Sequence, residues 1–286
     1  MERRRGIGTA GITLRAVHPI ERLRHVARAR GAGPSLLVRE AAGALAAFGD
    51  DPPGLVTACR RLVDRHPEAG PMWWLAARVL AAGDPVSEAW LAAEELDDDT
   101  TAAVLARALP GEGAVAVLGW PEITGEALRR AGGEVALLVI DAGGRWTAIV
   151  DRLAGRGFDA VDVPESGLGP AVAEARLLLL EASALGPDAF AADSGARAAA
   201  AVARHAGVPT WVVAGAGRVL PGRLWDALVR RLDDEAEPWL AAAEIVPLDL
   251  ADRVVGPAGP QLPSDAVRRA DCPVAPELLR RPNEPA

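Results

Sequence analysis

The chain of 286 residues contains no lysine, so its 31 Lys and Arg residues are all arginine. Schiff-base lysine chemistry and a P-loop with its phosphate-binding lysine are therefore excluded. Tyrosine is absent, and Asn283 and Gln261 are the single residues of their types. The two cysteines, Cys59 and Cys272, stand far apart, which excludes a disulfide framework and any Cys-based metal spacing. The four histidines (His18, His25, His66 and His205) form neither H-x-x-x-H nor H-E-x-x-H. The longest strongly apolar run, 135–140, falls far short of the ~20 residues a membrane helix needs. Arg3, Arg4 and Arg5 are not followed by the apolar stretch of a secretory signal. These absences predict a soluble, cytoplasmic protein that binds no metal, cofactor or membrane.

What is abundant is Ala, Arg, Gly and Pro, the mark of a GC-rich coding sequence. Half of the residues are hydrophobic, so a sizeable core is expected. The 39 acidic residues leave a formal charge of −8, which argues against nucleic acid as a partner.

The hydrophobic pattern changes once along the chain. Residues 1–17 read as a flexible leader. From His18 to about 110 the apolar spacing is helical throughout, punctuated by Gly31-Ala32-Gly33-Pro34, Asp50-Asp51-Pro52-Pro53 and Gly83-Asp84-Pro85. After Pro110-Gly111, short apolar runs alternate with helical segments. Strands are predicted at 114–120, 134–140, 159–163, 176–182 and 209–215, with 243–250 as a sixth strand or an extended edge. Continuous apolar strands separated by helices of 10–15 residues indicate a parallel sheet covered on both faces. The expected architecture is α/β: a helical domain (18–110), a doubly wound sheet domain (111–255) and a Pro-rich tail (256–286). Ligands of such sheets bind beyond the carboxyl ends of the strands. That rule selects the loops 119–122, 141–145, 163–168, 181–195 and 214–221.

Three stretches carry a family likeness: "LVREAAGALAAFGDDPPGLVTACRRLVDRHPEAGPMWWLAARVL" (37–80), "LLLLEASALGPDAFAADSGARAAAAVARHAGVPTWVVAG" (177–215) and "EIVPLDLADRVV" (244–255). Together they resemble the regulatory alpha, beta and delta subunits of eukaryotic translation initiation factor 2B. That family also holds methylthioribose-1-phosphate isomerase and ribose-1,5-bisphosphate isomerase. The resemblance covers residues 18–255. It implies a helical N-terminal domain on a Rossmann-like domain, assembled as a homodimer or larger oligomer.

The resemblance also shows what has changed. The isomerases carry a cysteine on the loop after the first strand, where this chain has "LGWPEIT" (118–124). Their G-A-D motif, whose Asp is catalytic, aligns with Glu181-Ala182-Ser183. Their N-K-x-G-T, which helps to hold sugar phosphate, aligns with Ala192-Asp193-Ser194-Gly195-Ala196. "DAGGR" (141–145) replaces their E-S/T-R-P. A serine hydroxyl cannot stand in for a carboxylate as acid or base near neutral pH. Asp193 in place of a basic residue would oppose a bound anion by on the order of 1–4 kcal/mol at ~4 Å, unless Arg145 or Arg197 offsets it. The resemblance therefore implies a non-catalytic module that binds a phosphosugar or nucleotide, with no catalytic residue retained. The alternative is an aldose–ketose isomerase of changed specificity, using Asp141, Asp188 or Asp193.

The candidate pocket comprises Trp120, Asp141, Arg145, Glu181, Ser183, Asp188, Asp193 and Gly195. Trp120, at a strand end, is open to two readings, ligand stacking and helix packing. Trp73 and Trp74 read as packing anchors and Cys59 as a small buried hydrophobe. Cys272, in the expected tail, reads as an exposed thiol.

Overall fold

The computed structural model describes residues 34–132, 135–142, 144–233 and 237–280. The expected leader and the helix predicted after His18 lie outside them.

Helices fill the N-terminal part: α1 (Pro34–Leu45), α2 (Pro52–Arg65), α3 (Gly70–Ala81), α4 (Pro85–Asp97) and α5 (Thr101–Ala108). Their starts are written in the sequence. Asp51 caps α2, accepting from Gly54 N at 3.0 Å, and Asp84 caps α4, accepting from Ser87 N at 3.1 Å. In both, proline occupies the first helical turn, where its missing N–H costs nothing. Trp73 and Trp74 lie fully buried in α3. Their indole nitrogens donate to Pro67 O (3.0 Å) and Asp271 Oδ1 (3.2 Å), while Arg231 and Arg78 lie over the rings. Polar tips satisfied and ring bodies packed, they anchor the helices as the sequence predicts.

The α/β part follows as β1 (Ala114–Leu118), α6 (Glu122–Ala131), β2 (Ala136–Asp141), α7 (Thr147–Ala154), β3 (Ala160–Pro164), α8 (Leu168–Glu174), β4 (Leu177–Glu181), β5 (Ala184–Leu185), β6 (Ala189–Asp193), α9 (Ala196–Ala206), β7 (Thr210–Val213), α10 (Gly222–Leu232), β8 (Ala243–Pro247), β9 (Arg253–Gly256), β10 (Gly259–Gln261) and α11 (Pro263–Val267). The main sheet runs β3-β2-β1-β4-β7-β9-β10, parallel except for the last strand. Residue alternation divides it into two buried faces. Ala116, Leu118, Leu178 and Val212 pack with α8 and α9; Val115, Val117, Leu177 and Val213 pack with α5, α6 and α7. Both faces are covered, which explains why the strands read as unbroken apolar runs. Strand order reverses between β1 and β4, the place where a doubly wound sheet opens a crevice.

The segment 243–250 is not the sixth strand of this sheet. Its strand β8 pairs antiparallel with β6 in a small second sheet, and β9 takes the sixth place instead. The hairpin β5–β6 turns at Gly186-Pro187-Asp188, and its first strand is too short to leave a period in the sequence.

The Pro-rich stretch after 255 is no tail in its described part. β10 completes the sheet edge, and Cys272, Ala275 and Leu278 are buried in the core of the helical region. Arg231 and Arg60 hold the backbone there through Leu278 O and Glu277 O. Apolar residues spaced irregularly between prolines bury as well as periodic ones when another surface receives them. Cys272 is therefore not exposed, and burial pushes its thiol up to about 12. Cys59 is buried as predicted, its thiol raised by desolvation and then by Glu277.

Candidate functional site

The crevice at the reversal point is built from the ends of β1, β2, β4 and β6. Glu181 ends β4 at its centre. Its Oε2 accepts from Thr124 N and Thr124 Oγ1, both at 2.8 Å, and its Oε1 accepts from Ile123 N at 3.4 Å. Glu181 thus caps the first turn of α6, where a negative charge meets the positive end of the helix. Its Oε1 also pairs with Arg218 Nη2 at 2.9 Å, the two side chains only 5% and 4% exposed. Arg218 Nη1 donates to Ala182 O at 2.5 Å. This carboxylate is saturated with donors.

Asp141, at the end of β2, plays a similar part. Its two oxygens accept from Arg145 N (2.9 Å) and Trp146 N (2.7 Å), shaping the turn into α7. Gly119 lies opposite with φ +65°, and a side chain there would meet the Trp146 indole at 3.0 Å. Gly195, φ +97°, closes the crevice: a Cβ on it would lie 3.7 Å from Leu118 and 3.8 Å from Ala142.

Asp193, at the end of β6, is open to solvent yet within electrostatic reach of the others. Desolvation raises its pKa above 3.8 and Glu181 adds to the rise, while Arg145 acts in the opposite direction. Arg145 therefore does lie where it offsets Asp193; its guanidinium rests 5.5 Å from the Trp146 ring centre. Arg197 does not take that part through its backbone, whose N–H donates to Glu244 Oε1 at 3.0 Å. A carboxylate from β8 thus occupies the N-terminus of α9, a place otherwise suited to an anion.

The structure gathers Asp141, Arg145, Glu181, Asp193 and Gly195 at these strand ends. It does not gather the rest. Trp120 is buried in the core and packs on α6, its Nε1 2.5 Å from where a Cβ on Gly125 would stand, so packing is its role. Ser183 is bound into the hairpin, its Oγ donating to Ala191 O at 3.2 Å and its carbonyl accepting from Gly70 N at 2.9 Å. Asp188 sits in the β5–β6 turn at the far end of β6 from Asp193, about 17 Å along an extended strand.

Arg218, Thr124, Trp146 and Glu244 complete the arrangement without having been foreseen. Arg218 lies in the selected loop 214–221, but one arginine among 31 basic residues carries no signal of its own. A cavity of about 120 Å³ lies on the helical side of the Glu181–Arg218 pair, lined by Ser35, Asp99, Glu122, Glu126 and Arg218 among others. Three of its four charged lining residues are acidic, so it does not suit an anion. Among the described residues no group of His, Cys, Asp and Glu is placed to hold a metal ion. No described helix is long and apolar enough to cross a membrane.

No protein-family model matches the chain, and no curated protein sequence does either. Solved structures do. Translation initiation factor eIF-2B of Pyrococcus horikoshii OT3 superposes with a TM-score of 0.70 at 14% identity, covering 87% of this chain and 98% of that one. The tetrameric eIF2B-beta2-delta2 complex of C. thermophilum gives 0.68 at 19% identity, over 87% and 93%. The 5-methylthioribose 1-phosphate isomerase of P. horikoshii OT3 gives 0.59 at 16% identity, over 88% and 86%. These are the proteins the sequence resembles, and at such identities the likeness is one of fold.

Proposed function

We propose that this chain is a divergent member of the initiation-factor-2B family that acts as a non-catalytic binding and regulatory module. The observation that carries this reading is the state of Glu181. A base must be free to take a proton and an acid to release one. Glu181 instead spends both oxygens on Thr124, Ile123 and Arg218. Asp141 is likewise engaged in shaping its turn, and Ser183 has no carboxyl to offer. The ligand class we assign to the crevice is a small phosphorylated metabolite, a phosphosugar or nucleotide, met by Arg145. The protein works in the cytoplasm as a homo-oligomer, which light scattering of the purified chain tests.

Incubation with ribose 1,5-bisphosphate and with methylthioribose 1-phosphate is expected to yield no ketose. Turnover above ~1 per second, an ordinary enzymatic rate, would overturn the reading. A thermal-shift series with phosphosugars and nucleotides tests the binding half, because a ligand of the folded state raises its apparent stability.

One observation favours a second reading, an isomerase of changed specificity. Asp193 has a pKa raised by desolvation and by Glu181 against the opposing pull of Arg145, a shift in the direction a general acid needs. If ketose does form, Asp193→Asn must abolish it for this reading to stand.

A further inference from the structure

The opposite edge of the main sheet carries a different surface. β10 runs antiparallel to β9, with Gln261 in register with Val254, so the end of β10 and the start of β9 meet at the amino-terminal edge of the parallel strands. A groove of about 600 Å³ opens there, lined by Arg253, Gln261, Leu262, Asp265, Arg268 and Arg269 together with Pro260. Three guanidinium groups face one carboxylate, in a chain whose formal charge is −8.

The arginines differ in how far they are committed. Arg268 pairs with Asp265 at 3.2 Å and donates to Ser264 O at 2.9 Å, along its own helix. Arg253 and Arg269 are exposed and make no ion pair or side-chain hydrogen bond among the described residues. Asp252, next to Arg253, is turned to the backbone instead, accepting from Thr210 N at 2.7 Å. Gln261 adds a third uncommitted side chain at the groove. Its Oε1 is, among the described residues, the one buried side-chain polar atom without a partner. As an acceptor this oxygen is no ligand for an anion, so the positive charge of the groove comes from the arginines alone.

We infer that this groove is an anion site, distinct from the strand-end crevice, for a small phosphate-bearing ligand. Guanidinium forks match phosphate oxygens two at a time. The volume is that of a small-molecule site, and the exposed Leu262 beside Pro260 offers an apolar wall for the rest of the ligand. The inference does not rest on the function proposed for the crevice.

Inorganic pyrophosphate is the probe, titrated calorimetrically into the full chain at 150 mM salt. Binding is expected, weakened at least tenfold in the double variant Arg253→Gln/Arg269→Gln. Arg145→Gln, in the crevice, removes at most a separate binding event and should leave the event lost in the double variant within twofold of the parent. No binding by the parent chain would overturn the proposal, as would equal affinity in the double variant. A loss in Arg145→Gln with none in the double variant would place the anion in the crevice and equally overturn it. The substituted arginines are exposed, so the folded fraction, read by circular dichroism, should not change.

Discussion

The two edges of the main sheet use charge in opposite ways. At the carboxyl edge, Glu181 and Asp141 are buried and tied to backbone donors, and Arg218 is tied to Glu181. At the amino edge, Arg253 and Arg269 stand in solvent without partners among the described residues. A desolvated charge must be matched by donors or it destabilises the fold. An exposed one carries no such obligation and is left to meet something else. The edge that holds ligands in other doubly wound sheets is here braced by buried charges that satisfy one another.

The comparison is broken most directly at Arg218. Arg218→Ala leaves Glu181 charged, buried and short of its cation, and should cost about 3–5 kcal/mol. Urea unfolding measures it, and a loss under about 1 kcal/mol would show that the pair is not structural. Asp141→Ala removes the acceptor of two backbone N–H groups and should cost about 1–3 kcal/mol by the same measurement.

Asp193 sharpens the contrast through pH. Its pKa is raised in the fold, so the folded state holds the proton more tightly than the unfolded state does. Its contribution to stability is greatest below the ordinary value of 3.8 and is lost as the pH rises through the folded value. Asp193→Asn should therefore be slightly more stable than the parent at pH 7. The gain should stay below about 1 kcal/mol because the side chain is exposed, and it should fade as the pH falls toward 4. A gain that grows on acidification would contradict this sign. The smallest effect belongs to the other edge: Arg253→Gln and Arg269→Gln should each change stability by less than about 0.5 kcal/mol.

Much of the fold was legible before any coordinates. The breaks at Asp50-Asp51-Pro52-Pro53 and Gly83-Asp84-Pro85 marked helix boundaries, and the apolar runs of β1, β2, β4 and β7 marked buried parallel strands. Two strands that went unread pair with their neighbours in the chain but are too short to show a period. β5 has two residues, and β10 is a three-residue edge containing Pro260. β8 has an apolar run like the others, but its pairing with β6 depends on where the hairpin is held. The packing of 272–278 was hidden because prolines interrupt any period, although Leu278 is wholly buried.

The site divides in the same way. Reading strand ends as ligand positions brought out Asp141, Arg145, Glu181, Asp193 and Gly195, which do converge. It also took in Ser183 and Asp188, because a hairpin inserted after β4 looks in one dimension like a single long loop. Trp120 was undecidable from position alone, since a strand end can face either solvent or the following helix.

By itself, the order of residues determined most of the element types and the sheet's two-sided burial, and it fixed which side chains stand at the strand ends. Those follow from period, capping and identity, which are local properties of a chain. Only the tertiary structure decided that Glu181 is saturated, that Glu244 occupies the start of α9, and that Arg253 and Arg269 share an open groove. Each depends on which distant atoms lie within a few ångströms, and that separation is set by packing rather than by distance along the chain.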